Sequence, residues 1–223
     1  MPQPPNRNPR APRITIDLEG PEVVGDVFVE DARHEGLRLG GIRFAEIQAK
    51  HVELKRFVLT EVDLSGARLD GFNLEDGSLR ACDLANVRSL SCSLDRVVIE
   101  GSRLTGAILA QPRLRDVVFR DCTLELSSFR FGRFNRVRFE RCRLIEADLQ
   151  GVTAKACTFI NCDLTGAQLS HGNFTGSAFG GCQLAGVSGL QALKGAQMAL
   201  EDVIELATVL AAFLGIDVRD DIS

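Results

Sequence analysis

Tryptophan and tyrosine are both absent from the 223 residues, and there is no apolar run of about 18 residues or more. Without those two side chains, the protein has no ordinary aromatic cage or base-stacking platform. Without a long apolar run, no transmembrane helix is predicted, and the Arg- and Pro-rich start lacks the apolar centre of a secretory signal. We therefore expect a cytoplasmic protein that makes no contact with a membrane.

Residues that carry chemistry do not form a recognisable site. The seven cysteines never occur as a CxxC pair, and only three histidines accompany them, His34, His51 and His171. Zinc sites need such pairs or several His ligands. No Ser, His and Asp grouping, phosphate-binding glycine loop or catalytic carboxylate pair can be assembled either. We predict no metal, no cofactor and no catalytic residue, so the protein is not expected to be an enzyme.

The dominant feature of the sequence is a period of five. From Leu39 to Leu184 every fifth residue is Leu, Ile or Phe, except at Ala49, Ser89 and Ala154. Two residues earlier runs a second series of mostly small residues, and all seven cysteines belong to it. Five matches neither the helical period of about 3.6 nor the strand period of about 2. The chain is therefore predicted to turn once in every repeat.

These repeats resemble those of the pentapeptide-repeat family, whose unit is a small residue, Asp or Asn, Leu or Phe, and two variable residues. Units of this kind are CDLTG (162–166), ADLQG (147–151), VDLSG (62–66) and FNLED (72–76). The resemblance covers about 22–187. It implies an all-β solenoid, a right-handed quadrilateral β-helix of about eight coils with four repeats in each coil, followed by a C-terminal α-helix.

Stacking the sequence at a period of twenty gives two columns that support four-sided coils. One column changes from aliphatic to aromatic partway along the chain, and the other consists of small residues that are mostly cysteine. A narrow interior is well filled by cysteines that behave as small hydrophobic residues. The predicted structural core includes Phe119, Phe139, Phe159, Phe179, Cys122, Cys142, Cys162 and Cys182.

The two ends are expected to cap the solenoid, because open coils expose unpaired backbone and core. We divide the chain into an N-terminal tail or cap (1–21), the repeats (22–187) and a C-terminal region (188–223). The tail is expected to be disordered at its start, with Arg7, Arg10 and Arg13 solvated. Alternating apolar residues further along the tail could add a capping strand: Ile14, Ile16 and Leu18.

From about 199 to 214 the pattern becomes helical, and Gly215 is suited to end the helix. This helix is apolar over most of its circumference, which predicts a second surface to bury. A second copy of the chain is the favoured partner, and a deeper cap within one chain is the alternative. The predicted dimer interface comprises Leu200, Val203, Ile204, Ala207, Leu210, Ala211, Phe213 and Leu214. An acidic surface near the dimer junction is predicted from Glu201, Asp202, Glu205 and Asp217.

Charge is unevenly distributed along the repeats. Residues 22–187 carry 22 acidic and 21 basic side chains, and nine arginines crowd residues 113–143. These arginines are predicted to spread over several faces, and residues 56, 76, 96, 116 and 136 alternate Arg and Asp as a salt-bridge ladder. Direct nucleic-acid binding is therefore not expected. A contact site for a protein partner is predicted at outward apolar residues and neighbouring arginines: Leu126, Phe131, Arg130 and Arg133.

The family resemblance also implies a function. Members with unbroken coils and a terminal dimer helix bind DNA gyrase as DNA mimics and confer resistance to quinolones or related toxins. The uninterrupted register is similar to the loop-free mycobacterial fluoroquinolone-resistance type and not to the plasmid-borne Qnr type, which carries loops. We expect a homodimer that acts on DNA gyrase or topoisomerase IV, and the alternative is a protein-interaction scaffold or regulatory module unrelated to topoisomerases.

Overall fold

The fold is described by a computed structural model, which places residues 7–14 and 24–219. It is a four-sided β-solenoid of about eight coils with short C-terminal helices, as the sequence predicts. Each five-residue unit ends in a corner residue with left-handed backbone, and corner residues such as Asp31, Arg96 and His171 have φ of 50–60°. The turn in every repeat is made by these corners, so the five-residue period corresponds to one side of the coil.

Neighbouring coils pair as parallel strands with a constant offset of 20 residues. Leu54 pairs with Leu74, and Phe119 with Phe139. Two adjacent sides and the corner between them form a 12-stranded sheet, and a third side forms a four-stranded sheet. The strands are Arg33–Glu35, Arg38–Gly40, Gln48–Lys50, Glu53–Thr60, Arg68–Asp70, Asn73–Arg80, Arg88–Leu90, Ser93–Glu100, Ile108–Ala110, Arg113–Arg120, Arg133–Asn135, Arg138–Glu140, Thr153–Lys155, Thr158–Ile160, Ala178–Gly180 and Gln197–Met198.

The core is a set of columns that run along the axis of the rod. In the aromatic column the rings of Phe119, Phe139, Phe159 and Phe179 are stacked nearly parallel, with centroids 4.7–4.9 Å apart. This distance equals the usual spacing between paired strands, about 4.8 Å. Identical side chains in register therefore stack with no adjustment of the backbone.

One column shows how neighbouring coils share a fixed interior volume. Phe57 lies beneath Gly77, and its ring occupies the space that a side chain at Gly77 would fill. The next two coils hold Val97 and Val117 in the same column. The large ring in one coil thus requires glycine in the next.

We predict that Gly77→Val destabilises the rod by about 1–3 kcal/mol, because the new side chain overlaps the Phe57 ring. Phe57→Val alone should also destabilise, since it leaves a cavity. The double variant recreates the stacked valines of the following coils and should be more stable than Gly77→Val. Guanidinium unfolding of the three variants checks the prediction, and a double variant no better than Gly77→Val would contradict it.

The solenoid continues past the predicted boundary at residue 187. A 3₁₀ helix, Leu190–Leu193, replaces one side of the last coil, and Met198 pairs with Phe179, an offset of 19 residues. Two short helices follow, Leu200–Glu205 and Ala207–Phe213. The helix predicted for 199–214 is thus divided at Leu206. Near the N-terminus a 3₁₀ helix spans Val24–Asp26.

Candidate interaction surfaces

Two adjacent corners carry bulky apolar side chains that point into solvent. Leu126 and Phe131 are 59% and 56% exposed, and both have φ of +57°. This left-handed backbone is shared by the corners of every coil, so the two residues are distinguished by their large, exposed apolar side chains. Other coils place Gly71, Ser91 or Gln111 in the column of Phe131. The corner patch, residues 126 and 131, is therefore not required by the fold.

The predicted contact residues lie together at this patch. The Arg130 guanidinium lies 5.6 Å from the Phe131 ring centroid and 3.4 Å from the Asp148 carboxylate. On the other side, Phe131 borders a surface groove of about 530 Å³ that also contains Arg113 and Arg133. The geometry combines an aromatic side chain with several cations, as at protein-contact hot spots.

Most of the arginine-rich stretch is neutralised by neighbouring coils. Arg113 and Arg133 pair in register and have no salt bridge within residues 7–14 and 24–219. The other seven of the nine arginines have a carboxylate within ion-pair distance: Arg115, Arg120, Arg130, Arg136, Arg138, Arg141 and Arg143. A continuous phosphate-binding band is therefore not formed by this stretch.

The predicted alternating ladder is present as two separate bidentate pairs. Arg96 donates to both Asp76 oxygens at 2.6 and 2.8 Å, and Arg136 donates to those of Asp116 at 2.6 and 2.7 Å. Arg56 pairs with Glu35 instead, at 2.7 Å. Both aspartates are buried, which distinguishes these pairs from an exposed ladder.

The cysteine column is buried as predicted. All seven thiols are free and buried, and the Cys122 Sγ donates to the carbonyl oxygens of Ile99 and Arg120 at 3.4 and 3.2 Å. Burial raises the pKa of Cys92 to about 12 and that of Cys157 to about 11, from an ordinary value of 9.0. These two thiols are therefore held protonated and are poor nucleophiles, and burial keeps reagents from the other five.

We therefore predict that a maleimide or Ellman's reagent leaves the native protein unlabelled at pH 8 and reacts with seven thiols after denaturation. Ser91→Cys, at an exposed corner, is the matched positive control and should label once in the native state. Rapid native labelling of several wild-type thiols would contradict the assigned register.

The terminal helices leave most of their apolar surface uncovered within one chain. Only Leu206 and Val209 of their apolar side chains pack against the core. Leu200 is 76% exposed. The other predicted interface residues are exposed except Ala211, which is half-buried: Val203, Ile204, Ala207, Leu210, Phe213 and Leu214. Ile216 and Val218, which the sequence analysis did not include, extend this exposed apolar surface.

The predicted acidic surface requires one correction. Glu201, Glu205 and Asp217 are exposed, but Asp202 is only 1% exposed and does not belong to that surface. Its Oδ1 accepts a hydrogen bond from the Cys182 amide at 2.7 Å. Asp202 lies 20 residues after Cys182, so its carboxylate takes the place of the missing next coil and caps that strand edge.

The N-terminal tail also differs from expectation, because residues 7–14 are extended along the rod. Arg7 Nε donates to the Gly176 carbonyl oxygen at 3.0 Å, while the amides of Arg10 and Arg13 donate to Asp116 and Asp76 at 3.0 and 2.9 Å. Ile14 is not in a strand, and Ile16 and Leu18 lie outside the described residues. The segment 7–14 is therefore bonded to the coils, although the side chains of Arg10 and Arg13 are exposed to solvent as expected.

Among residues 7–14 and 24–219, no three or more His, Cys, Asp or Glu side chains are grouped so as to hold a metal ion. No helix in the same ranges combines the length and apolar character needed to cross a membrane.

Comparison with solved structures gives distant likenesses. QnrB1 in a trypsin-treated form, a plasmid-mediated fluoroquinolone resistance protein, is 19% identical over 84% of this chain and 100% of that chain, with a TM-score of 0.33. HetL of Nostoc sp. strain PCC 7120, involved in heterocyst differentiation regulation, is 17% identical over 78% and 90%, with a TM-score of 0.36. Rfr23 of Cyanothece 51142 is 21% identical over 77% and 86%, with a TM-score of 0.19. Sequence identities and TM-scores this low support no conclusion about function.

Sequence comparison is more decisive about the family. A search of curated proteins finds no significant match. The family model described as "Pentapeptide repeat region" matches residues 72–149 and 132–193. These ranges together span 72–193, which is 122 of the 223 residues and so more than half of the chain. With this match and strands that pair at an offset of 20 residues from Arg33 to Gly180, the chain belongs to the pentapeptide-repeat family.

Proposed function

We propose that this protein is a non-catalytic, dimeric binding protein that modulates a type II topoisomerase, either DNA gyrase or topoisomerase IV. It would act as a DNA mimic and so give resistance to quinolones or toxins. The observation that carries the proposal is the uninterrupted rod that ends in an uncovered apolar helix pair. Two rods joined at these helices would form a longer rod. Such a rod is the shape that an enzyme groove for duplex DNA accepts.

Dimerisation is supported by the apolar surface of the terminal helices. Solvent exposure of so many large apolar residues is costly, and patches of this kind mark interfaces. A dimer with a two-fold axis would bring the same patch together from both copies. Exposed carboxylates of Glu201, Glu205 and Asp217 would then flank the junction from both sides.

The helix pair gives a direct test of the dimer. Ile204→Glu/Leu214→Glu places charge at two exposed apolar positions and should convert the dimer to a monomer in sedimentation equilibrium. Thr208→Glu adds a charge at an exposed polar position of the helix pair and serves as the matched control. A wild-type protein that stays monomeric at high concentration, or a double variant that stays dimeric, would overturn this step.

The charge pattern limits where mimicry would act. On the rod, most carboxylates in the arginine-rich coils are ion-paired, so those coils present mixed charge. The junction end is different, because Glu201 and Glu205 are exposed and form no salt bridge within the described ranges. Clustered carboxylates attract a surface built for phosphates. We therefore place the DNA-like contact at the junction of the two rods.

The deciding experiment is supercoiling by DNA gyrase with increasing amounts of the protein, with and without ciprofloxacin. We expect the protein to change supercoiling and to reduce drug-stabilised cleavage complexes, and Glu201→Gln/Glu205→Gln to weaken both effects. Ile204→Glu/Leu214→Glu should weaken them as well. The proposal fails if neither supercoiling, cleavage nor drug sensitivity changes over a wide range of protein concentration.

A second candidate function is a protein-interaction scaffold unrelated to topoisomerases, and the corner patch favours it. Leu126 and Phe131 are exposed next to arginines, a composition suited to an acidic protein surface. Phe131→Ser should leave every gyrase effect unchanged if the junction is the contact. Loss of the effect in Phe131→Ser, with Glu201→Gln/Glu205→Gln unaffected, would move the topoisomerase contact to the patch.

A further inference from the structure

The N-terminal segment 7–14 crosses the coils of one corner in the reverse direction of the rod. Its bonds run from Gly176 through Asp116 to Asp76 as the segment proceeds from Arg7 to Arg13. The corner that receives it contains the buried Asp76–Arg96 and Asp116–Arg136 pairs. Three attachment points over seven residues fix the position of the segment along the rod.

The segment and the corner have matching periods. The sequence NPRAPR repeats every three residues, and polyproline II, the conformation that proline favours, rises about 3.1 Å per residue. The two bonded amides, three residues apart, are therefore separated by about 9 Å. Their acceptors Asp76 and Asp116 lie two coils apart, which is also about 9–10 Å. A polyproline II segment can thus bond to every second coil without a change in conformation.

The carboxylates of Asp76 and Asp116 are held in position to accept hydrogen bonds from backbone amides. In each pair the arginine fixes the carboxylate through two bonds, and one oxygen, Oδ1, accepts the additional amide hydrogen bond. Bonds to such fixed, ionised acceptors are stronger than bonds between neutral groups. The same column has Ala156 and Gly176 in later coils, so the carboxylates are not a requirement of the corner itself.

At Asp76 and Asp116, recognition depends on the backbone of the segment and not on the arginine side chains. The residues Arg10 and Arg13 are exposed, while the prolines before them, Pro9 and Pro12, are half-buried. Proline offers no amide and fixes φ. Between the two prolines the amides of Arg10 and Ala11 remain, and the one that follows the proline, that of Arg10, is bonded to the rod. Any extended segment with proline before every third residue would present the same pattern of donors.

We propose that the corner groove, formed around residues 76, 96, 116 and 136, is a docking site for extended proline-rich peptide segments. In the free chain the segment 7–14 occupies the site. A partner's segment binds by displacing it, so the tail is an intramolecular competitor that weakens every partner by its high effective concentration. The site is separate from the helix junction, and neither its success nor its failure bears on the topoisomerase proposal.

Substitutions in the tail test the docked state without changing the rod. Arg10→Pro/Arg13→Pro removes both amide donors and keeps φ suitable for polyproline II. Arg10→Ala/Arg13→Ala removes the same side chains and trypsin sites but keeps both amides. Trypsin cleavage after Arg7 is then the readout, because that bond is present in both variants. We expect it to be about tenfold faster in the proline variant, as two charge-assisted hydrogen bonds are lost.

A third variant controls for the added prolines. Ala11→Pro introduces proline at an exposed residue whose amide makes no hydrogen bond to the described rod, and it should be cleaved after Arg7 at the wild-type rate. Equal cleavage of the two double variants would overturn the proposal, because the amides would then not hold the tail.

A peptide in trans tests the docking site itself. A fluorescein-labelled peptide with the sequence of residues 7–14 should raise its anisotropy with full-length Arg10→Pro/Arg13→Pro and bind wild type at least about tenfold more weakly, since its own tail competes. The same peptide N-methylated at both arginine amides should not bind. The proposal is overturned if the peptide binds none of the proteins, if it binds both proteins equally, or if methylation has no effect.

Discussion

Phe139→Ala is expected to lower the free energy of unfolding by about 3–5 kcal/mol, the usual range for deletion of a buried phenylalanine. The Phe139 ring is fully buried and stacks between those of Phe119 and Phe159, at 4.8 and 4.9 Å. Loss of the ring leaves a cavity that rigid neighbouring coils cannot close, because each backbone is held by hydrogen bonds to the coils on both sides. Equilibrium unfolding in guanidinium at fixed protein concentration measures the effect.

Two matched variants separate stacking from hydrophobic volume. Phe139→Leu restores the residue type found at Leu79 in the same column and should cost much less than Phe139→Ala. Phe131→Ala removes the same ring from an exposed corner and should change stability by less than about 0.5 kcal/mol. A Phe139→Ala effect as small as that of Phe131→Ala would show that the column contributes little to the stability of the rod.

The coil and its core columns could be predicted from the sequence because they repeat. A parallel pairing at a fixed offset of 20 residues places chemically similar residues above one another, so the aromatic column from Phe119 to Phe179 is visible in the sequence. The same argument predicts the buried thiols. Each repeat adds independent support for the register, which is why isolated exceptions such as Ser89 do not obscure it.

The contacts that break the period could not be predicted in this way. Asp202 is acidic and lies in a helix, and only its position 20 residues after Cys182 connects it to the core. The tail bonds join Arg10 to Asp116, residues that no local pattern relates. The three-residue period of NPRAPR indicates an extended polyproline II segment, but it does not indicate which part of the rod that segment contacts.

The exposed apolar residues at the corners of the rod also have a physical explanation. In the solenoid, inward positions are fixed by stacking, and outward polar positions can be neutralised by the next coil, as Arg136 neutralises Asp116. Corner side chains such as Asp116 and Arg136 can pair with the next coil in the same way, whereas Leu126 and Phe131 cannot form an ion pair and are largely exposed. Corners of this second kind are therefore free to vary with function, and binding sites on this rod are expected there.

Arg136→Met is expected to destabilise the protein by about 3 kcal/mol at pH 7, because it leaves a buried charge without its partner. The Asp116 side chain is 1% exposed, and Arg136 supplies two hydrogen bonds to it. Arg141→Met is the matched control. Arg141 makes an equally close bidentate pair with Asp121, at 2.7 and 2.9 Å, but both side chains are nearly half exposed, so its loss should matter far less.

The effect of Arg136→Met should depend on pH with a defined sign. In the wild type, burial raises the pKa of Asp116, but the Arg136 guanidinium and the Arg10 amide outweigh it and hold the pKa below the ordinary 3.8. The stabilisation by Asp116 is therefore complete above pH 3.8 and is lost only as the pH falls further. Without Arg136, burial dominates and raises the pKa of Asp116, so the variant takes up a proton on folding and gains stability as the pH falls toward 3.8. The stabilities of Arg136→Met and wild type, measured from unfolding curves between pH 7 and pH 4, should thus converge as the pH falls.

Asp116→Asn/Arg136→Met buries no charge and should therefore recover most of the stability lost at pH 7. Parallel pH profiles of stability for Arg136→Met and wild type would show that Asp116 is not the group responsible.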